Sequence, residues 1–156
     1  MMLSQHFSRA EFEHSDTAIA HGIANVMGPV ELAAAQALCL HVFEPIRAHF
    51  NRPVRSNSGY RCRAVNLLVG SKPGSQHERG EAMDHEIDGV TNADLALWIL
   101  HSTIDFDQLI LEAYHPGVAG SGWVHVSRSN RGPQRRQALT MTMGSHGPVY
   151  STGINP

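Results

Sequence analysis

Helical spacing crowded into the first fifty residues, followed by three short runs of apolar–polar alternation at 82–87, 108–112 and 123–127, describes a mixed helix-and-strand domain. The 156 residues, 42% of them hydrophobic, are enough for one ordinary core and too few for a comfortable second. No repeat, low-complexity run or linker divides the chain. Residues 1–50 read as a helical wrapper, 54–127 as the part that carries chemistry, and 144–156, rich in glycine and proline, as an uninformative tail.

The elements follow in order. Ser8-Arg9-Ala10-Glu11 is a capping-box pattern that starts a short helix through Phe12. A second short helix is predicted from Asp16, as N-cap, to Gly22, which supplies the left-handed exit. Gly28-Pro29 opens the longest helical stretch, with Ala34, Leu38, Val42, Ile46 and Phe50 recurring on one core-facing side; Pro45 is expected to kink or end it. Val54–Ser58 reads as a strand leading to Gly59-Tyr60-Arg61, and Cys62–Val69 as a helix closed by Gly70. A Ser/Lys/Pro/Gly loop then delivers the chain to His77. Thr91 to Asp94 offers an N-cap for a helix whose apolar stripe includes Leu95, Trp98 and Ile99.

Composition excludes several classes. A net charge of -2 and a pI near 6.6 argue against a general nucleic-acid binder. Arg128, Arg131, Arg135 and Arg136 form one local basic run, read as a solvated face before an anionic-polymer grip. Two cysteines, Cys39 and Cys62, supply neither a disulfide framework nor a four-cysteine metal site and are read as unpaired thiols. No stretch is apolar enough to span a bilayer, so no membrane partner is expected. The start, Met1-Met2-Leu3-Ser4-Gln5-His6-Phe7, lacks a basic segment and apolar run, and synthesis in the cytoplasm without a secretory signal is expected.

The chemistry centres on Ser75-Gln76-His77-Glu78-Arg79-Gly80-Glu81-Ala82-Met83-Asp84. His77 and Asp84 are both good zinc ligands when deprotonated, and His125 in Trp123-Val124-His125-Val126 is the best third donor. Strand alternation places Asp84 with Ala82 and Glu86, Glu112 with Gln108 and Ile110, and His125 with Trp123. If these strands are neighbours whose valines and leucines share a core, Asp84, Glu112 and His125 converge on the other face. His85 falls on the apolar side of this pattern, which assigns it to a sheet edge. Two imidazoles and a carboxylate leave zinc's fourth position to water, whose pKa the metal lowers toward about 7; that is a hydrolytic centre.

S-x-H-x-x-G-x-A-x-D followed by W-V-H resembles the zinc D-Ala-D-Ala carboxypeptidase and L-Ala-D-Glu peptidase group, with its hedgehog-type zinc peptidase fold, especially short bacteriophage and bacterial members. The resemblance implies an α+β fold: a small antiparallel sheet of about four strands, one zinc per chain on one face and helices on the other. It implies His77, Asp84 and His125 as the metal ligands. Arg61, in Ser58-Gly59-Tyr60-Arg61, matches the segment whose arginine contacts substrate, where a guanidinium reads a carboxylate or stabilises an oxyanion. Ser75 is implied as a substrate contact or a turn residue, and Tyr60 and Trp123 are expected to wall the cleft. Such proteins usually place a glutamate or histidine just before the last zinc histidine, but Gly120 and Gly122 stand there. Glu112 is therefore taken as the general base because a strand end is a firm platform, with His115 in its Gly- and Pro-containing loop as the second candidate.

The activity implied is hydrolysis of amide bonds in peptidoglycan stem peptides, by an L-Ala-D-Glu or other endopeptidase or a D-Ala-D-Ala carboxypeptidase. The setting implied is the cell wall, reached after holin release as a phage lysis enzyme or as a virion hydrolase. The competing reading is a non-hydrolytic, zinc-containing module that binds the wall or an anionic polymer.

Overall fold

The computed structural model describes residues 1–156. Short helices α1 (Arg9–Glu13) and α2 (Asp16–Ala20) lead into α3 (Pro29–Leu38), a π-helical turn (Cys39–Phe43) and α4 (Glu44–Phe50). Then come β1 (Arg55–Ser58), α5 (Arg63–Leu68), a 3₁₀ turn (Gln76–Arg79), β2 (Ala82–Glu86), α6 (Asn92–His101), β3 (Gln108–Glu112), β4 (Trp123–Ser127), β5 (Gln137–Gly144) and β6 (Gly147–Thr152). The fold is α+β, but the sheet has six strands rather than about four, in the order β1-β2-β4-β3-β5-β6. It is also mixed: β5 runs parallel to β3, and the other neighbours are antiparallel. The stretch expected to be a tail supplies β6.

Local signals explain most helix ends. The reciprocal Ser8–Glu11 capping box is formed. The α2 cap is Ser15, one residue before the expected Asp16, because its side chain accepts from the Ala18 N–H. Pro45 does not end the long helix. The preceding turn widens instead, with the Glu44 N–H donating to the Cys39 carbonyl, and this π turn accommodates a proline ring that would otherwise crowd the carbonyl four residues earlier. Leu38, Val42 and Ile46 are thereby kept fully buried on one continuous face.

That face packs with Leu95 and Ile99 of α6 and with Met83, Leu109, Leu111, Val124 and Val126 from one side of the sheet in a single hydrophobic cluster. His85 belongs to the same side and is not at an edge, since β2 lies between β1 and β4. Fully buried, it meets the Phe43 ring edge-on at 5.0 Å, and burial pushes its pKa down to about 4. A neutral imidazole can occupy an apolar register as a flat aromatic ring. Cys39 is buried and Cys62 half-buried, and both are free thiols. No helix is long and apolar enough to cross a membrane.

The basic run is partly consumed by the fold. Arg135 grips Asp107 through Nη2 (2.6 Å) and Nε (2.9 Å). Arg136 donates to the carbonyls of Ile104 and Leu100 and lies 4.6 Å over the Phe106 ring.

Gly80 closes the 3₁₀ turn at φ 68°, where a Cβ would also strike the Glu31 backbone carbonyl. Gly80→Ala should therefore destabilise the protein by about 1–3 kcal/mol, read as a lower urea midpoint with an unchanged slope.

Candidate metal centre

The strand alternation delivers its side chains as the sequence implies. Asp84 of β2 is opposite His125 of β4, and His125 is opposite Ile110 of β3. Paired residues share a face, so Asp84 and His125 stand side by side away from the hydrophobic cluster, with Glu112 and Trp123 as the next cross-strand pair. The 3₁₀ turn then lays His77 over this face.

Three donor atoms meet there. His77 Nε2 is 3.3 Å from His125 Nδ1 and 3.4 Å from Asp84 Oδ1, and His125 Nδ1 is 2.9 Å from Asp84 Oδ1. The three residues are only 5–7% exposed. The His77 Nδ1–H donates to the Gly59 carbonyl at 2.7 Å, which fixes the ring and turns Nε2 to the cluster. Burial works to raise the Asp84 pKa, but the His77 charge and the hydrogen bonds from both histidines prevail and hold it well below the usual carboxylate range.

Arg61 reaches the same carboxylate from the loop after β1. Its Nη2 donates to Asp84 Oδ2 at 2.6 Å, while Nε and Nη1 donate to the hydroxyls of Ser58 and Ser71. Oδ2 is thus engaged and Oδ1 faces the imidazoles. The sequence reading missed Ser58 and Ser71, whose only signal was hydroxyls flanking an arginine.

Glu112 ends β3 on the donor face. Burial, reinforced by the Asp84 charge, pushes its pKa up to about 7. Gly122 explains why no base precedes His125: at φ 69° a side chain there would run into the Glu112 carbonyl, so position 122 has no room for a carboxyl. His115 is exposed in the 113–122 loop, its backbone held by the Ser121 hydroxyl. The Ser75 hydroxyl donates to Asn66 Oδ1, tying the approach loop to the fully buried Asn66. Trp123 is half-buried beside Glu112, whereas Tyr60 is 8% exposed within the hydrophobic cluster.

Two imidazoles and a carboxylate, gathered within 4.8 Å, can hold a metal ion. Tetrahedral zinc with nitrogen and oxygen ligands at about 2.0–2.2 Å spaces them about 3.3–3.6 Å apart, close to two of the three separations here. A buried donor set of this kind, with a carboxyl on the same face, suits metal-assisted hydrolysis. Residues 5–127 match the Peptidase M15 family, and the chain belongs to that family. No curated protein matches the chain.

His77→Ala, Asp84→Ala and His125→Ala should each abolish retention of a divalent metal through dialysis, measured by elemental analysis. Arg61→Ala, which frees Oδ2 without removing a donor, should weaken metal affinity by about 10- to 100-fold in a competitive chelator titration.

Proposed function

We propose that this protein is a zinc peptidase that hydrolyses amide bonds in the stem peptides of bacterial peptidoglycan, as a phage lysis enzyme or virion hydrolase. The observation that carries the reading is the convergence of His77 Nε2, Asp84 Oδ1 and His125 Nδ1 on the sheet face that also bears the half-buried Glu112. Peptidase M15 membership supports the reaction class, and the stem peptide follows from the resemblance of the motifs. One zinc per chain is proposed, held by His77, Asp84 and His125.

When bound, the metal polarises the scissile carbonyl and makes water a nucleophile near neutral pH. Glu112 takes the proton of the attacking water and returns it to the leaving amine, work suited to a carboxyl whose pKa lies near 7. Its ionised form is the active one, so activity falls as the medium is acidified through its pKa. Arg61, anchored on Asp84, sets the carboxylate's orientation and places positive charge beside the reacting carbonyl. Trp123 walls the cleft next to Glu112, and Ser75 shapes the loop that leads in.

A half-buried carboxyl with a raised pKa on the donor face is suited to proton transfer, which a purely binding module does not perform. An anionic-polymer grip loses two of its four arginines to Asp107 and to the carbonyls of Ile104 and Leu100. Both facts favour hydrolysis. Endopeptidase cleavage is preferred, because severing stems or cross-links weakens a wall that trimming a terminal D-Ala leaves intact.

Glu112→Gln should keep its metal and lose roughly a hundredfold or more in rate, together with the acidic limb of the pH profile. A near-normal rate alongside a dead His115→Ala would reverse the two roles. Offered a stem pentapeptide and its C-terminal amide, wild-type protein should cleave both with L-Ala released, as mass spectrometry reads directly. Release of D-Ala from the free acid alone would establish a carboxypeptidase.

A further inference from the structure

The matched residues end at 127, yet the face that carries the donors continues beyond them. Glu112 is opposite Met141 of β5, and Met141 is opposite Tyr150 of β6. Trp123, Glu112, Met141 and Tyr150 therefore form one cross-strand row on the donor face. The row beside it runs Asp84, His125, Ile110, Leu139 and Thr152. On the far side, Met143 is opposite Pro148.

The hairpin is inverted relative to the rest of the sheet. Its apolar side chains Leu139, Met141 and Met143 lie on the donor face, and Ala138, Thr140 and Thr142 take the opposite register. Met141 is only 5% exposed, whereas Tyr150 is 53% exposed and Met143 67% exposed. A filled floor thus carries an accessible aromatic ring. Burial and then the charges of Glu112 and Asp84 raise the Tyr150 pKa, in keeping with a phenol turned to the site.

We propose that Tyr150 is a substrate-contacting residue of this centre, and that with Met141 and Met143 it forms an apolar ledge for the stretch of peptide two to three residues from the bond cleaved. The occupant follows from continuity with the donor face. From Glu112 to Tyr150 is two strand spacings, about 10 Å, or about three residues of extended peptide. Across the sheet the opposite end is closed by Arg61, which is charged, so the two ends of a bound peptide meet unlike surfaces. The inference rests on the peptidase reading above.

The test compares Tyr150→Ala, Tyr150→Phe and Val149→Ala, the last on the opposite register of the same strand. Each is assayed on the stem pentapeptide and on the shortest fragment of it that wild-type protein cleaves. Tyr150→Ala should raise KM for the pentapeptide about 3- to 10-fold with kcat little changed, and leave the short fragment unaffected. Tyr150→Phe and Val149→Ala should match wild type, and metal content and melting temperature should be the same in all four proteins. Unchanged KM in Tyr150→Ala, or equal losses on both substrates, overturns the ledge, and so does a Tyr150→Phe protein as weak as Tyr150→Ala. Wild-type protein inert toward stem peptides overturns the peptidoglycan reading alone. The ledge is then judged by whether Tyr150→Ala loses cuts that wild type makes in an unfolded-protein digest, and an identical cut pattern refutes it.

Discussion

A buried carboxylate must be answered on every side, and Asp84 is the group that the rest of the molecule answers. His125 serves one oxygen and Arg61 the other, and removing either partner from so enclosed a charge is expensive. The N-terminal helices matter because they hold the loop that provides Arg61. Asn25 accepts from the Cys62 N–H and donates to the Tyr60 carbonyl, and the Phe12 carbonyl accepts from the Tyr60 N–H. Gly59, in the same loop, gives its carbonyl to His77. A part of the chain with no donor of its own thus sets the direction of one ligand's ring and the charge balance of another.

The sheet divides labour by parity. Even-numbered positions of β2 and β3 and odd-numbered positions of β4 face the site, and their neighbours are sealed under helices, so a one-residue slip would bury the donors and expose the core. His85 marks how strict this is. It sits one residue from a donor, yet as a neutral ring in the core it is barred from the metal.

Asp84, His125 and the long helix face were legible because each rests on short-range periodicity with one side apolar, and His77 and the capping box because each lies in a short motif of fixed spacing. What escaped reading did so for identifiable reasons. β5 presents leucine and methionines to the open face and alanine and threonines to the other, the reverse of the usual pattern, and β6 carries Pro148 and is exposed along most of its length. Parallel pairing with β3 depends on a chain path that no local signal encodes. Pro45 misled because a widened turn absorbed it. The engagement of Arg61 by Asp84 joins residues 23 apart in sequence, and nothing in either segment announces it.

Parallel pairing of β5 with β3 also sets how the outer strands are attached. β4 intervenes in sequence, so the chain reaches the free edge of β3 only through a segment that crosses the sheet's end, where Asp107 holds Arg135. The hairpin is thereby an outer unit of the sheet that contributes none of the three metal donors. Such an arrangement lets the outer strands loosen, or change in sequence, while His77, Asp84 and His125 stay in register.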